Sequence, residues 1–341
     1  MTTARPVTTD DPRWMDYALR LGRRALGTTA ENPNVGCVIV RDGRLLGIGW
    51  TQPGGRPHAE TQALAMAGEA ARGATAYVTL EPCAHHGRTG PCAVALARAG
   101  VVRVVSALED PDPRVAGGGH AILRAAGVTV AVGLGADEAC RDLAGFFTRI
   151  VKKRPYVVLK LAISADGKIA ARAGETTAIT GSEANARVHL LRAQCDAILV
   201  GMGTVRIDDP LLTCRLPGLE SRSPQPFVLG HGPLSPARKL STRGAMVVRD
   251  LSGMGHVNRL LVEGGAQVAR YFLDQRLVDE FQVFRSPLKL GPQGVDAVFE
   301  MPLEQALQPF TVREEEKLGD DVLTVYENVQ NTVIPAKAGT P

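Results

Sequence analysis

The sequence predicts an α/β protein of two consecutive domains, and three observations predict it. A chain of 341 residues with 45% apolar content is long enough for two separate cores. Short strand-like apolar runs alternate with segments of helical period along most of the chain. A basic seam, Lys152-Lys153-Arg154-Pro155, then interrupts the pattern, and a fresh strand starts directly after it. The expected divisions are residues 1–149, residues 150–328 and a disordered tail, residues 329–341, polar and without periodicity.

Taken in order, Trp14, Tyr17, Ala18, Leu21 and Ala25 recur at helical steps, with Asp11 as a candidate cap and Pro12 at the first helical position. Val35 to Val40 and Leu45 to Trp50 read as strands joined by a hairpin turn at Asp42-Gly43. A helix follows from Ala59 to about Ala71, then a strand from Ala76 to Leu80. The first domain ends with a helix near Cys92 to Ala99, a strand from Val101 to Ser106, a helix near His120 to Ala126, a strand from Val128 to Val132 and one helix from Ala136 to Arg149. Gly117-Gly118-Gly119 lacks the context of a phosphate-binding loop and reads as a flexible connection.

The second domain opens with a strand from Tyr156 to Ile163. Further strands are expected at Asp196 to Val200, Phe227 to Leu229, Ala245 to Val248, Arg259 to Val262, Asp279 to Arg285 and Val322 to Tyr326, with helices at Ser182 to Ala193 and Gln267 to Asp274. Val262-Glu263-Gly264-Gly265-Ala266 joins a strand to a helix. Two glycines there let a backbone approach a phosphate at the helix N-terminus.

Chemistry concentrates between His58 and Cys92. One imidazole, His58, and two thiols, Cys83 and Cys92, are a three-ligand set for zinc that leaves a fourth tetrahedral position open for water. Glu60 is a carboxylate placed to move a proton without binding the metal. Taken singly, a loop histidine and two buried cysteines are ordinary packing residues. Together they match His-x-Glu followed by Pro-Cys, the pattern of hydrolytic deaminases, except that eight residues rather than two separate the cysteines. That intervening loop carries His85, His86 and Arg88, cations suited to a phosphate-bearing substrate or simply a solvated turn.

Formal net charge is only +4 and aromatics are 4%, which gives little support for a nucleic-acid surface. Six cysteines in a large chain with a polar N-terminus, without an apolar leader, point to a cytoplasmic protein with metal ligands and reduced thiols rather than a disulfide framework. No apolar run approaches the length of a membrane span.

Asn32-Pro33-Asn34-Val35-Gly36-Cys37, His58-Ala59-Glu60 and Thr79-Leu80-Glu81-Pro82-Cys83-Ala84-His85-His86-Gly87-Arg88-Thr89 resemble the deaminase half of the bifunctional riboflavin-biosynthesis deaminase/reductase family, whose own spacing includes the eight-residue gap. Lys160 to Lys168, Gly201 to Val205, Asp208 to Thr213 and Val262 to Gly265 are similar to its reductase half. The resemblance implies a cytidine-deaminase-like α/β/α domain followed by a dihydrofolate-reductase-like α/β domain. It also implies Zn2+ and NADPH as cofactors, a pyrimidine ribosyl phosphate as substrate, and a homo-oligomer. By that likeness Asn34, His86, Arg88, Thr176, Leu212, Arg215 and Glu263 hold substrate. Ala162, Ala178, Thr204, Asp208, His231 and Gly265 line the cofactor, and Lys160 lies near the hydride transfer.

Three departures from that pattern bear on the second domain. Ala178 stands where an aromatic is expected, Gly230-His231 where an Asp-Ser pair or similar is usual, and the stretch from His231 to Arg259 is short. A missing strand–helix segment would leave sheet edges and apolar surface uncovered, so an idle reductase half beside an intact deaminase is the alternative expectation. The same zinc site in a nucleic-acid base deaminase, or in a zinc-stabilised scaffold, is the more distant one.

Overall fold

A computed structural model describes residues 10–85, 90–112, 115–331 and 333. The chain divides into two compact units, one reaching Lys153 and joined by Val333, the other starting at Arg154.

The first unit begins with α1 (Asp11–Arg23) and a hairpin of β1 (Gly36–Arg41) and β2 (Arg44–Trp50). Both turn residues, Asp42 and Gly43, have positive φ, the geometry that keeps the twist of the two strands. Then come α2 (Ala59–Ala67), β3 (Thr75–Val78), α3 (Cys92–Arg98), β4 (Arg103–Ser106), α4 (Gly118–Ala125) and β5 (Thr129–Val132). The expected single helix after β5 is two, α5 (Ala136–Asp142) and α6 (Ala144–Lys152), broken at Leu143. The strands form one sheet in the order β2-β1-β3-β4-β5, with β1 antiparallel to both neighbours and β3, β4 and β5 parallel.

Asp11 does not cap α1. It lies inside the first turn, after Asp10, fully buried, and its carboxylate accepts from both Arg103 Nη atoms at 2.9 and 2.7 Å and from the Tyr77 hydroxyl at 2.7 Å. A guanidinium on β4 and a phenol on β3 compete successfully for an acid that the sequence alone assigns to its own backbone. On the other side of the hairpin, α2 lies unusually close to β2. A Cβ on Gly47 or Gly49 would fall 2.1 Å from the carbonyl oxygen of Ala63 or Ala59 respectively. Glycine on the strand and alanine on the helix therefore set how near the start of α2 comes to the sheet.

The second unit contains β6 (Tyr156–Ile163), β7 (Lys168–Ala170), α7 (Ser182–Ala193), β8 (Ala197–Gly201), α8 (Met202–Asp208), β9 (Gln225–Leu229), α9 (Lys239–Thr242), β10 (Met246–Val248) and β11 (Arg259–Val262). It continues with α10 (Ala266–Asp274), β12 (Glu280–Arg285), β13 (Val295–Asp296), α11 (Leu303–Leu307), β14 (Thr311–Leu318) and β15 (Asp321–Glu327). Eight strands pair in the order β10-β9-β8-β11-β6-β12-β15-β14, parallel as far as β12 and antiparallel beyond it, and β7 pairs with β13 separately.

The short stretch after His231 still supplies an edge strand, the three-residue β10, paired on one side with β9, and Leu240, Leu251, Met254 and Val257 around it are all buried. The connecting segment itself supplies part of the cover, while Met246 on β10 stays 45% exposed. The end of the second unit and the start of the expected tail are tied to that unit by side chains. Asn328 is buried, and the Asn331 amide donates to the carbonyls of Arg276 and Val278, both at 3.1 Å. Beyond Asn331 only Val333 is described, packed against the first core. Among the described residues no helix is long and apolar enough to cross a membrane.

Candidate active sites

Three backbone elements end at one point of the first unit. His58 is the residue immediately before α2, Cys83 lies in the loop that leaves β3, and Cys92 is the first residue of α3. Their donor atoms all lie within 4.8 Å of one another. His58 Nδ1 is 3.7 Å from Cys83 Sγ and 3.4 Å from Cys92 Sγ. Zinc bonds of ~2.3 Å to sulfur and ~2.0 Å to nitrogen, arranged tetrahedrally, put a nitrogen and a sulfur about 3.5 Å apart, which both imidazole–sulfur distances match. The Cys92 N–H also donates to Cys83 Sγ at 3.3 Å, a contact that favours thiolate.

The electrostatics agree with a metal-binding donor set. The Cys83 thiol is pulled down to about 4, chiefly by hydrogen bonding from Cys92, while Cys92 is pushed up by the same contact and by burial. Two sulfurs sharing one proton form a donor set from which a divalent cation displaces that proton. Glu60, in the first turn of α2, is 4% exposed, and burial, followed by the nearby negative Cys83, raises its carboxyl to about 7. Such a group exchanges a proton readily at neutral pH.

Asn34 precedes β1, and because β1 runs antiparallel to β3 it stands at the same end of the sheet as Leu80 to Cys83. Gly36 and Thr79 stitch the two strands there, N–H to hydroxyl at 3.0 Å and N–H to carbonyl at 3.1 Å. Asn34 is buried, with its amide 3.5 Å from the Gly22 carbonyl. His86 and Arg88 lie outside the described residues.

In the second unit a cavity of about 720 Å³ opens among β6, the stretch from Arg172 to Thr180, α8 and the turn before α10. Lys160, Ala162, Thr176, Ala178, Thr204, Asp208, Glu263 and Gly265 all line it. The Thr176 hydroxyl donates to the Asp208 carboxylate, so the loop and α8 meet across its wall. His231 is not part of the lining; it is exposed in the turn after β9, because β9 ends at Leu229 and the chain turns outward. Leu212 is buried and Arg215 exposed, both beyond α8 and outside the lining.

Arg192 links these groups, and sequence reasoning missed it. It forms a two-pronged pair with Glu263 at 2.7 and 2.9 Å and donates to the Thr213 carbonyl at 3.0 Å. The segment carrying Leu212 and Arg215 is thereby tied to the cavity. The available signal was Glu263 itself, since a carboxylate after a buried strand needs a cation. Lys160 is half-buried on the cavity wall, its ammonium 5.6 Å from the centre of the Phe284 ring, and desolvation there pushes its pKa down.

Residues 8–108 match the cytidine and deoxycytidylate deaminase zinc-binding region, and residues 155–324 match the RibD C-terminal domain. The riboflavin biosynthesis protein RibD of Escherichia coli is 41% identical over 82% of this chain and 89% of its own length, and that of Aquifex aeolicus 37% identical over 93% and 98%. Among solved structures, Acinetobacter baumannii RibD superposes with a TM-score of 0.85 at 37% identity, covering 94% of this chain and 99% of its own. A Thermotoga maritima diaminohydroxyphosphoribosylaminopyrimidine deaminase/5-amino-6-(5-phosphoribosylamino)uracil reductase gives 0.82 at 32% identity, covering 93% and 98%.

Proposed function

The chain belongs to the RibD family of bifunctional deaminase/reductases of riboflavin biosynthesis, and from that premise we propose which of its residues perform each reaction and on what substrate. The chain carries a zinc-dependent deaminase domain and an NADPH-using reductase domain. The substrate assigned to the first is 2,5-diamino-6-ribosylamino-4(3H)-pyrimidinone 5′-phosphate. The second then reduces the ribosyl side chain of the deaminated product to ribityl.

His58, Cys83 and Cys92 hold the zinc, and their mutual distances are the observation that carries this reading. When bound, zinc supplies a water acidic enough to act as nucleophile near neutral pH. Glu60, buried and raised to about 7, accepts a proton and returns it to the departing amine. Asn34 orients the pyrimidine ring by hydrogen bonds, and His86 and Arg88 receive the phosphate.

In the second unit NADPH supplies the hydride when bound. Ala162, Ala178, Thr204, Asp208 and Gly265 form its bed, with His231 beyond the rim of the cavity. Gly265, at the start of α10, offers the helix end that suits a phosphate. Thr176, Leu212, Arg215 and Glu263 hold the substrate. Lys160 would give a proton to the sugar's ring oxygen as the ring opens. Its lowered pKa, caused by burial, eases that transfer.

The test is a paired assay on the purified chain with the diaminopyrimidinone ribosyl phosphate, following ammonia release and NADPH oxidation together. Equal amounts of both are expected. Ammonia without NADPH loss would sink the reductase assignment, and absence of ammonia would sink the zinc reading.

A further inference from the structure

Glu81 stands between β3 and the zinc ligand Cys83, and its buried carboxylate is held by four backbone N–H groups of a distant segment. Oε2 accepts from Asp110 at 3.1 Å and Gly117 at 2.9 Å. Oε1 accepts from Gly119 at 2.7 Å and His120 at 3.3 Å, in the first turn of α4. Two glycines of the three-glycine run, Gly117 and Gly119, thus help to hold an anion, and the anion is the chain's own; the Gly118 N–H donates to the Val115 carbonyl instead. Gly119 also touches the metal loop directly, since a Cβ there would lie 1.8 Å from the Pro82 carbonyl oxygen. His120 is buried, with Nε2 2.7 Å from Ser106 Oγ, which fastens this turn of α4 to the end of β4.

We propose that Glu81 is the positioning residue for the metal ligand Cys83, anchoring it to the α4 turn so that its sulfur is in place before the metal arrives. The proposal rests on the zinc reading above. The physical need arises from the spacing of the ligands. With two residues between cysteines, a tight turn holds each sulfur by means of the other. With eight, that mutual restraint is weaker, because the entropy of closing the loop rises. Between Cys83 and Cys92 the described contacts are the Cys92 N–H on the Cys83 sulfur, at 3.3 Å, and the Ala93 N–H on the Cys83 carbonyl, also at 3.3 Å. The carboxylate–backbone clamp fixes the chain two residues before the ligand, on the side of β3.

Two full-length variants test this from opposite sides of the contact. Glu81→Gln keeps the shape but turns an amide N–H2 toward one pair of N–H donors, and Gly119→Ala pushes on the Pro82 carbonyl without changing charge. Outer contacts of metal ligands typically govern metal affinity by about 10- to 100-fold. Zinc release to a chelating dye is therefore expected to be faster by that order in both variants. The thiolate-to-cobalt absorption of the Co(II)-substituted protein should shift, while NADPH oxidation on directly supplied deaminated substrate stays within about twofold. Release rates and cobalt spectra equal to the parent's in both variants would overturn the proposal. So would a variant that loses the parent's cooperative unfolding even when saturated with zinc, since Glu81 would then serve the fold alone. A parent that takes up no zinc defeats the metal reading itself, and this proposal with it.

Discussion

The two units arrange their chemistry in opposite ways. In the first, three donor atoms within 4.8 Å of one another stand at a helix start, a strand-end loop and a second helix start, with one buried carboxylate in the first turn of α2. In the second, the residues assigned to cofactor and substrate mostly line a cavity of about 720 Å³ whose walls come from separate stretches of chain, and Glu263 on that wall is paired with Arg192. A metal ion needs a few atoms placed well, whereas a dinucleotide and a sugar phosphate need an extended surface. Damage to the first site should accordingly be abrupt and local, and damage to the second gradual and shared.

The largest effect should come from Glu60→Gln. Proton transfer by a positioned side chain is worth about 10²- to 10⁴-fold. Ammonia release should fall by that factor, with zinc content per chain unchanged and NADPH oxidation on deaminated substrate untouched. Ammonia release within tenfold of the parent's would break the comparison, because the first site would then not depend on a single proton carrier.

Glu263→Gln should act on the second unit through stability. Arg192 and Glu263 keep side-chain exposures of 12% and 11%, so the loss should lie near the low end for a broken buried pair, about 3 kcal/mol. The pH dependence sharpens the test. Burial pushes the Glu263 carboxyl up, but Arg192, with help from Lys160, outweighs it and holds the pKa below its ordinary 4.5. A carboxylate depressed by folding contributes stability that is full above the unfolded value and is lost as pH falls through the folded one. The denaturation midpoint of the second unit should therefore drop on acidification below about 4.5 in the parent, and less steeply in the variant. Some slope remains, since Glu280, depressed by Arg259 and Arg313 against its burial, behaves alike. An unchanged acid slope would mean that the pair does not govern this unit's stability.

What could be read from the sequence follows the same division. His58, Glu60, Cys83 and Cys92 were legible because few residue types bind zinc and their order along the chain is unusual. The residues assigned to the cofactor were less so: the Gly264-Gly265 turn carried a weak local signal, but Ala162 and Thr204 are chemically mute, and only the family resemblance singled them out. Contacts that depend on a remote partner stayed hidden in both units. Glu81 meets glycines 36 and 38 positions later, and Asp11 meets Arg103 across 92 positions, so neither role could be found locally. Strand β14 escaped because Glu314, Glu315 and Glu316 break the apolar alternation. An edge strand with one partner, here β15, needs no buried face of its own. His231 was assigned by family resemblance alone; β9 ends at Leu229 and the residue lies exposed in the turn that follows.

The smallest effect expected is that of Thr176→Val, which keeps the side chain's shape and removes only the hydroxyl that donates to Asp208. A hydrogen bond of this kind contributes about 0.5 to 1.5 kcal/mol, or roughly two- to tenfold in binding. Because Thr176 is assigned to the substrate and Asp208 to the cofactor, the bond joins the two halves of the cavity wall. The KM values for NADPH and for the deaminated substrate should rise together by that factor, with kcat, ammonia release and the unfolding midpoint unchanged. A rise confined to the substrate would mean that Thr176 touches it directly and that the wall does not act as a unit. If neither value moves, the cavity is more tolerant than its assembly from separate stretches implies, and the contrast between an abrupt and a gradual site becomes sharper still.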